Sequence, residues 1–344
     1  MIEHSPGLRV GLSLDRLQAF EPECILRIRR GAQWCEASNR NRPTPFPDER
    51  RTRAFRTASV TKTFTAALVL RLCEAGLLAL SDRLSDHLPA ACWDRLQGRS
   101  ITVHQLLNHR SGLYDYATDA RFRAEVLSAP AKRWTPHDLL DAAALGTGAY
   151  FEAGTGVAYS DTGYVLLGLI VEAVTGNPLA HAYRQYVFAP LGLQQTYLEG
   201  LSPAPDLAVA KAFDGALDTS CFDPSFDAFG GGGLVSTATD LDCFISALMR
   251  GRLFARAATL RTLLDGTPTA PGVGTRKTWT ACGISEFELA GQRCWGHLGH
   301  WNSFMLYQCE ADLALCGTFN QSVSTPLQIE LLGAALVDAL AWEP

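Results

Sequence analysis

Several features that mark particular kinds of protein are missing from this sequence of 344 residues. It has no run of basic residues, and 30 Lys plus Arg stand against 35 Asp plus Glu for a formal charge of -5. Nucleic acids and anionic membranes bind clustered positive charge, so we expect neither as a partner. The longest apolar stretch, 164–174, is interrupted by Gly168 and Glu172 and is too short to span a bilayer. No transmembrane helix is predicted.

The ten cysteines form no recognisable metal or disulfide pattern. There is no Cys-x-x-Cys and no histidine pair at zinc-finger spacing, so we predict neither a metal nor another cofactor. Scattered thiols are typical of small buried residues in a reducing compartment. Near the N-terminus, Leu8, Val10, Leu12 and Leu14 alternate as in a strand, which is not the pattern of an apolar signal core. We therefore predict a cytoplasmic protein.

Composition and patterning predict a large folded chain with a helical segment in its middle. At 47% hydrophobic content, the chain can bury a substantial core. Residues 24–30 alternate as in a strand, and the apolar residues 63–70 continue to a stop at Gly76, as expected for a central helix. Between 77 and 204, stop signals recur without strand patterns. We expect 77–204 to be an inserted helical domain, and 1–76 with 205–344 to form the domain that contains the sheet.

The segment after residue 204 returns to strands. The elements predicted there are a helix at 239–249 after the glycines at 230–233, strand-like runs at 295–308 and 313–319, and a last helix capped by Thr325-Pro326.

A serine and a lysine lie three positions apart where a polar stretch gives way to the apolar helix. If Ser59 begins this helix, Lys62 lies one turn further on the same face and can reach the serine hydroxyl. A serine hydroxyl becomes a good nucleophile when a base removes its proton, and a lysine can act as that base if burial or nearby positive charge lowers its pKa. The alternative interpretation of the pattern is a helix cap followed by a surface lysine.

Two further segments carry candidate groups. A glycine-rich loop delivers Tyr159 and Asp161 directly before a helix, where the tyrosine could pass protons to a leaving group and the acid could hold the lysine or a substrate amide. Alternatively, Tyr159 only packs and Asp161 caps the helix. Further on, Gly299 would let a substrate backbone pair with a strand edge, and the N–H of His300 could complete an oxyanion hole. The His297 and His300 side chains are only weak candidates for a pair of metal ligands, because no third ligand has a recognisable spacing.

The three segments, in this order, resemble the motifs of the serine β-lactamase and penicillin-recognising family. Ser59-x-x-Lys62, Tyr159-Ser160-Asp161 and His297-Leu298-Gly299 are similar to the motifs of the class C, DD-peptidase and esterase branch. The resemblance covers about 50–320 and includes the segments 55–62, 101–109, 111–113, 190–193 and 231–237.

The resemblance implies an α+β fold: an antiparallel sheet flanked by helices, with an all-helical lobe inserted after the serine helix and a cleft between the two. It implies that Ser59 is acylated, and that Lys62 and Tyr159 share its proton and later activate water. The N–H groups of Ser59 and His300 would form the oxyanion hole. The residues implied in substrate binding or oxyanion stabilisation are Asp161, His297, Gly299 and His300.

The implied function is a serine hydrolase that hydrolyses or transfers the acyl group of a small ester, amide or peptide. The alternatives are a penicillin-binding or sensor-like protein with little turnover, an acyltransferase of a biosynthetic pathway, and a scaffold without the chemistry. The loops at 114–122 and 221–229 are expected to shape the pocket, but the sequence does not give their conformation.

Two positions depart from the family pattern. Asp161 places a carboxylate where the family often has an amide, and His297 stands where many β-lactamases have lysine. One hypothesis is that Asp161 lies near His297 across the cleft and favours the protonated histidine. We interpret His109 and Arg110 as structural.

Overall fold

The computed structural model describes residues 3–4, 23–39, 53–268, 277–322 and 325–341. The strand pattern noted at 8–14 lies outside these residues.

The main sheet contains nine strands of the described chain, and neighbouring strands in it are antiparallel. In pairing order, the strands are β1 (Glu3–His4), β3 (Gln33–Ser38), β2 (Ile25–Arg30), β15 (Leu313–Thr318), β14 (Ser303–Gln308), β13 (Gln292–Leu298), β12 (Ser285–Leu289), β11 (Lys277–Thr280) and β10 (Thr267–Pro268).

Smaller sheets and the helices complete the fold. A second sheet consists of β5 (Tyr197–Leu198), β9 (Leu234–Thr237), β4 (Arg53–Arg56) and β6 (Ala208–Val209). A separate hairpin pairs β7 (Phe213–Asp214) with β8 (Leu217–Asp218). The described α-helices are α1 (Thr61–Glu74), α2 (Leu84–His87), α3 (Val103–Leu107), α4 (Ala120–Ser128), α5 (Pro136–Ala144), α6 (Asp161–Thr175), α7 (Leu179–Tyr183), α8 (Ala189–Leu191), α9 (Ala238–Met249), α10 (Ala257–Leu264) and α11 (Thr325–Leu340).

One face of the main sheet packs against α11. Leu306, Leu315, Ile28 and Cys35 are successive cross-strand neighbours, and all four share a buried cluster with Leu332 of α11. Alternate residues of a strand point to the same face, so this row follows directly from the register. Burying one such leucine or isoleucine contributes about 1.5–3 kcal/mol.

The opposite face carries arginines that α9 covers. The Nε atoms of Arg27 and Arg29 donate to the Asp242 carboxylate of α9 at 3.0 and 2.8 Å. An Nη atom of Arg29 also donates to Ser246 Oγ at 2.7 Å. These contacts fix α9 on the sheet through charges that are largely withdrawn from solvent.

Several local predictions agree with the structure and others were wrong. Helix α1 includes the apolar run, and Gly76 follows it with a left-handed φ of +72°. The run predicted at 295–308 is two strands, because a turn with Asn302 N bonded to Gly299 O at 2.9 Å separates them. The helix predicted at 239–249 is confirmed as α9, and the strand β9, which had not been predicted, precedes it and pairs with β4. The segment 77–204 also contains the short strand β5, which had no recognisable pattern.

The α+β prediction is confirmed by the antiparallel sheet with helices packed on its faces. The proposed division of the chain at residues 76 and 204 stays a prediction. Among the helices that the structure describes, none is by itself long and apolar enough to cross a membrane, and Asp161–Thr175 with Leu179–Leu191 passes that test only as a pair bent by 79°.

Candidate active site

Ser59 lies in a one-turn 3-10 helix, Ala58–Val60, between β4 and α1. Ala58 adopts a left-handed φ of +46°, which is strained for a residue with a side chain. The neighbouring strands hold this turn: Ser303 Oγ donates to Thr57 O at 2.7 Å. A Cβ on Gly299 would lie 2.5 Å from the same carbonyl oxygen, so glycine is needed for the end of β13 to approach the serine turn.

Lys62 lies one turn beyond the serine, and its side chain is completely buried. Its Nζ donates to Ser59 Oγ at 3.2 Å and to the carbonyl oxygen of Gly231 at 2.8 Å. A third, short hydrogen bond joins Nζ to the carboxylate of Asp161, with which it also forms an ion pair. Three acceptors match the three protons of an ammonium group.

The glycine run before β9 packs closely against this charge cluster. A Cβ on Gly231 would lie 2.8 Å from Asp161 Oδ1 and 3.5 Å from Lys62 Nζ. A Cβ on Gly232 would lie 1.9 Å from Asp227 Oδ2. The absence of side chains at both positions therefore lets the main chain close over the lysine and two carboxylates.

Tyr159 lies beside Ser59, whose hydroxyl acts on its phenol. Its ring centroid lies 4.7 Å from Lys62 Nζ. The ring stacks on His109 at a centroid distance of 4.6 Å, and His109 Nδ1 accepts a hydrogen bond from Ser160 N at 3.3 Å. The histidine that we interpreted as structural thus positions the tyrosine directly.

The surroundings keep the Tyr159 phenol protonated. Desolvation by the surrounding protein raises the pKa of Tyr159 well above its ordinary value, and the nearby Asp161 charge raises it further, whereas the Ser59 hydroxyl lowers it. A neutral phenol donates a proton more readily than it accepts one. In the resting site, Tyr159 is therefore suited to protonate a leaving group.

Asp161 begins α6, and the cap of this helix is Ser160, whose Oγ accepts from Gly163 N at 3.3 Å. The Asp161 carboxylate is thereby left for Lys62. The backbone N–H of Asp161 donates to Asp115 Oδ1 at 3.2 Å, which links the loop at 114–122 to the lysine cluster.

Sequence reasoning missed two carboxyl groups, Asp115 and Asp227, that interact electrostatically with Lys62 and Asp161. Burial and then the Asp161 charge raise the pKa of each to about 7, while Lys62 lowers both. Each acid belongs to one of the two loops expected to shape the pocket. No local pattern distinguishes these acids from ordinary loop aspartates, since only the tertiary fold places them beside the lysine.

The hypothesis of a protonated His297 beside Asp161 is wrong. Burial, Lys62 and Lys277 lower the pKa of His297 to about 3, so its ring is neutral near pH 7. Its Nδ1 donates to Leu298 O at 2.7 Å. The Asp161 carboxylate instead forms an ion pair and a hydrogen bond with the Lys62 ammonium.

His300 follows Gly299 just beyond the end of β13. The side chain is 55% exposed, and its Nε2 lies 3.8 Å from Asp214 Oδ1. Only the backbone N–H of His300 is therefore relevant to an oxyanion hole, and that role stays a prediction. Among the described residues, no group of three His, Cys, Asp or Glu side chains could hold a metal ion.

A narrow cleft beside the serine turn opens to solvent. The residues that line it are Arg56, Ala58, Glu199, Pro224, Phe226, Asp227, Gly233, Leu234 and Trp301.

The chain belongs to the β-lactamase family, whose model, described as Beta-lactamase, matches residues 28–339. The resemblance inferred from the motifs is thereby confirmed. Penicillin-binding protein 4 of Amycolatopsis lactamdurans is 37% identical over 144 residues, which cover 41% of this chain and 35% of that protein. The chain thus spans about a third of the length of the curated relatives that it matches first, with shares of 35% and 32%.

Solved structures match the chain over almost its whole length. The D-stereospecific amidohydrolase from Streptomyces sp. has 28% identity and a TM-score of 0.81, and the match covers 94% of this chain and 96% of that one. The D-amino acid amidase from Ochrobactrum anthropi SV3, complexed with L-phenylalanine amide, has 25% identity and a TM-score of 0.78, with coverage of 95% and 96%. Both names describe amide-cleaving enzymes.

Proposed function

We propose that the protein is a serine hydrolase that forms an acyl-enzyme on Ser59 and cleaves amides or esters, with amino-acid amides as its substrate class. The observation that carries this proposal is the convergence on one hydroxyl: Lys62 Nζ donates to Ser59 Oγ at 3.2 Å, and the Tyr159 ring lies 4.7 Å from the same Nζ, near enough to Ser59 for the serine to influence its phenol. The similarity to two solved amide-cleaving enzymes supports the substrate class.

The proton path starts at Lys62. An ammonium that donates to Ser59, Gly231 and Asp161 has no lone pair for the serine proton. Of these three partners, the Asp161 carboxylate is the group that can readily take a proton, since a peptide carbonyl and an alcohol are far weaker bases. Transfer of one proton to Asp161 frees the Lys62 amine to accept the Ser59 proton while Oγ attacks the substrate carbonyl carbon.

Acylation then breaks the bond to the leaving group. The Oγ–C bond forms, the carbonyl oxygen becomes an oxyanion opposite the N–H groups of Ser59 and His300, and the Tyr159 phenol protonates the departing nitrogen or oxygen. The phenolate regains a proton from the Lys62 ammonium. In deacylation, the Lys62 amine accepts a proton from the water that attacks the acyl carbon, and the Lys62 ammonium returns a proton to Oγ as the C–Oγ bond breaks. The proton held by Asp161 then returns to Lys62.

The location stays a prediction. The ten cysteines are all in the described part of the chain, and none of them is in a disulfide, which supports action in a reducing compartment.

Steady-state hydrolysis of D-phenylalanine amide and p-nitrophenyl butyrate tests the proposal in the wild type, Ser59→Ala and Ser128→Ala. Ser128 is an exposed serine of α4 and serves as the matched control. We expect many turnovers per molecule in the wild type and the control, and a loss of about 10³-fold or more in Ser59→Ala. Equal rates in the three proteins would refute the proposal, and a single-equivalent burst without turnover would indicate a sensor instead.

A further inference from the structure

One of the three acceptors of the Lys62 ammonium is a main-chain carbonyl in the glycine run 230–233. Lys62 Nζ donates to Gly231 O at 2.8 Å. The run has no side chains that could hold it in place, and glycine is the residue with the greatest backbone freedom. The position of this carbonyl therefore depends on the hydrogen bonds made by the main chain at the two ends of the run.

Two threonines beside the serine turn hold the end of the run that leads into β9. Thr57 Oγ1 donates to Leu234 O at 2.9 Å, and Leu234 N donates to Thr61 Oγ1 at 3.3 Å. Both threonine side chains are completely buried. This end of the run is thus tied to the start of α1, the helix that carries Lys62.

A third threonine of α1 holds the other end. Thr65 Oγ1 lies 2.6 Å from Gly230 O and also 2.6 Å from the hydroxyl of Tyr183 in α7. Among the described residues, Thr65 is the one side-chain partner of that hydroxyl, so the buried phenol donates to Thr65. The single proton of Thr65 then goes to Gly230 O, which is closer than its other acceptor, Thr61 O at 3.2 Å.

The hydrogen bonds therefore run in one direction, from Tyr183 to Thr65 to Gly230. Burial raises the pKa of Tyr183, so the phenol keeps the proton that it donates. Its ring is fixed by stacking on Phe188 at a centroid distance of 5.6 Å. Lys62 acts electrostatically on Tyr183, yet within the described residues its hydrogen bonds go to other groups. Both hydroxyls lie near the lysine without taking part in its chemistry.

We propose that Thr65 and Tyr183 are positioning residues for the proton transfer, and that they hold the glycine run so that Gly231 O stays against Lys62 Nζ. The inference rests on the proposed acylation of Ser59 and adds two residues that act through a main-chain carbonyl. With this acceptor in place, the ammonium is oriented toward Asp161 and Ser59 together. A run that moves away would leave the ammonium with one acceptor fewer and a less defined position.

Replacing Thr65 by valine, which is nearly the same size, tests the proposal. Thr63→Val is the matched control, because Thr63 belongs to the same helix, is equally buried, and donates through Oγ1 to Gly283 O at 2.6 Å. We expect both variants to lose a similar amount of Tm, since each loses one buried hydrogen bond. In Thr65→Val, kcat should fall by about tenfold or more while KM stays within about twofold. Thr63→Val and Thr65→Ser, which keeps the hydroxyl, should retain kcat within about threefold.

The pH profile of kcat/KM gives a readout that a loss of stability does not move. An ammonium with one acceptor fewer releases its proton more easily, so the acid limb in Thr65→Val should lie about 0.5 pH unit or more below that of the wild type and of Thr63→Val. These variants keep the other ionisable groups that act on Lys62, namely Asp161, Asp115, Asp227, His109 and His297.

Tyr183→Phe tests whether the two hydroxyls act as a unit. It should change kcat and the acid limb in the same direction as Thr65→Val but by less, about threefold in kcat, because Thr65 can still donate to Gly230 O. Thr65→Val combined with Tyr183→Phe should be no slower than Thr65→Val alone. Losses that multiply, or a Tyr183→Phe variant identical to the wild type, would overturn the role of Tyr183.

Failure of this inference and failure of the proposed function give different results. The substrate is whichever of D-phenylalanine amide and p-nitrophenyl butyrate the wild type hydrolyses in a Ser59-dependent way. If Thr65→Val and Thr63→Val then have the same kcat and the same acid limb, the serine mechanism stands and the positioning role is refuted. If neither substrate is hydrolysed in a Ser59-dependent way, both proposals are refuted.

Discussion

Two largely buried ion clusters of this protein differ in how completely their charges are matched. Between β2 and α9, Arg27 and Arg29 face Asp242, Arg27 also pairs with Glu36, and Arg29 also pairs with Asp312. Since Arg250 pairs with Asp312 too, three cations meet three carboxylates. In the second cluster, around Lys62, one cation lies among three carboxyl groups, Asp161, Asp115 and Asp227.

The difference indicates what each cluster does. In the first cluster, matched and hydrogen-bonded charges join α9 to the main sheet and require no further binding partner. A surplus of carboxyl groups costs stability, leaves protons free to move near neutral pH and attracts a cation. We infer that the matched cluster is structural and that the unmatched one is functional, and variants in each cluster can test this contrast.

The largest effect is expected from Lys62→Met. The change keeps the side-chain volume and removes the proposed base, so kcat/KM should fall by about 10³-fold or more. It also strips Asp161 of its counter-ion and should lower the free energy of unfolding by about 3 kcal/mol. Adding Asp161→Asn should restore stability without activity. Measured rates that fall less than about tenfold would exclude Lys62 as the base.

Asp242→Asn should break the matched cluster without touching the chemistry. Arg27 and Arg29 lose their shared carboxylate, and denaturant unfolding should show a loss of about 3 kcal/mol. We expect kcat/KM in the folded variant to stay within about twofold of the wild type. A large loss of activity at full stability would show that this cluster is also functional.

Asp161→Asn should reduce kcat by about 10²-fold, because an amide cannot accept the proton that Lys62 must release. Lys62 would stay in place through its bonds to Ser59 and Gly231. Pre-steady-state kinetics should show slower acylation and an unchanged binding step. Acylation at the wild-type rate would mean that the proton leaves Lys62 by another route, as it must in relatives with an amide there.

The smallest effect concerns stability and pH. Because the pKa of Asp227 is raised to about 7 from the ordinary aspartate range, its contribution favours the folded state at low pH and is lost as pH rises through 7. Asp161, Asp115, Lys62 and Arg56 act on this carboxyl group. Asp227→Asn should therefore gain about 2 °C or more in Tm over the wild type at pH 8, with little gain at pH 4. A gain that is the same at both pH values would contradict the raised pKa.

The sequence was sufficient where function depends on local spacing. Ser59 and Lys62 are one turn apart, and Tyr159 directly precedes a helix, so a short pattern is enough to select them. The sequence does not reveal Asp227 or Asp115, because only the tertiary fold brings their two loops to the lysine, with Asp227 in the space left by the missing side chain of Gly232. The predicted charge state of His297 was wrong for a related reason, because this charge depends on burial and on cations from other elements.

The most direct test of the account is covalent labelling of the nucleophile. Intact protein treated with a fluorophosphonate should gain the mass of one phosphonyl group, and peptide mapping should place it on Ser59, because an activated serine reacts with this electrophile and ordinary surface serines do not. Ser59→Ala should remain unlabelled and Ser128→Ala should label like the wild type. Labelling that persists in Ser59→Ala, or a wild type that never reacts, would contradict the central claim that Ser59 is the acylated residue.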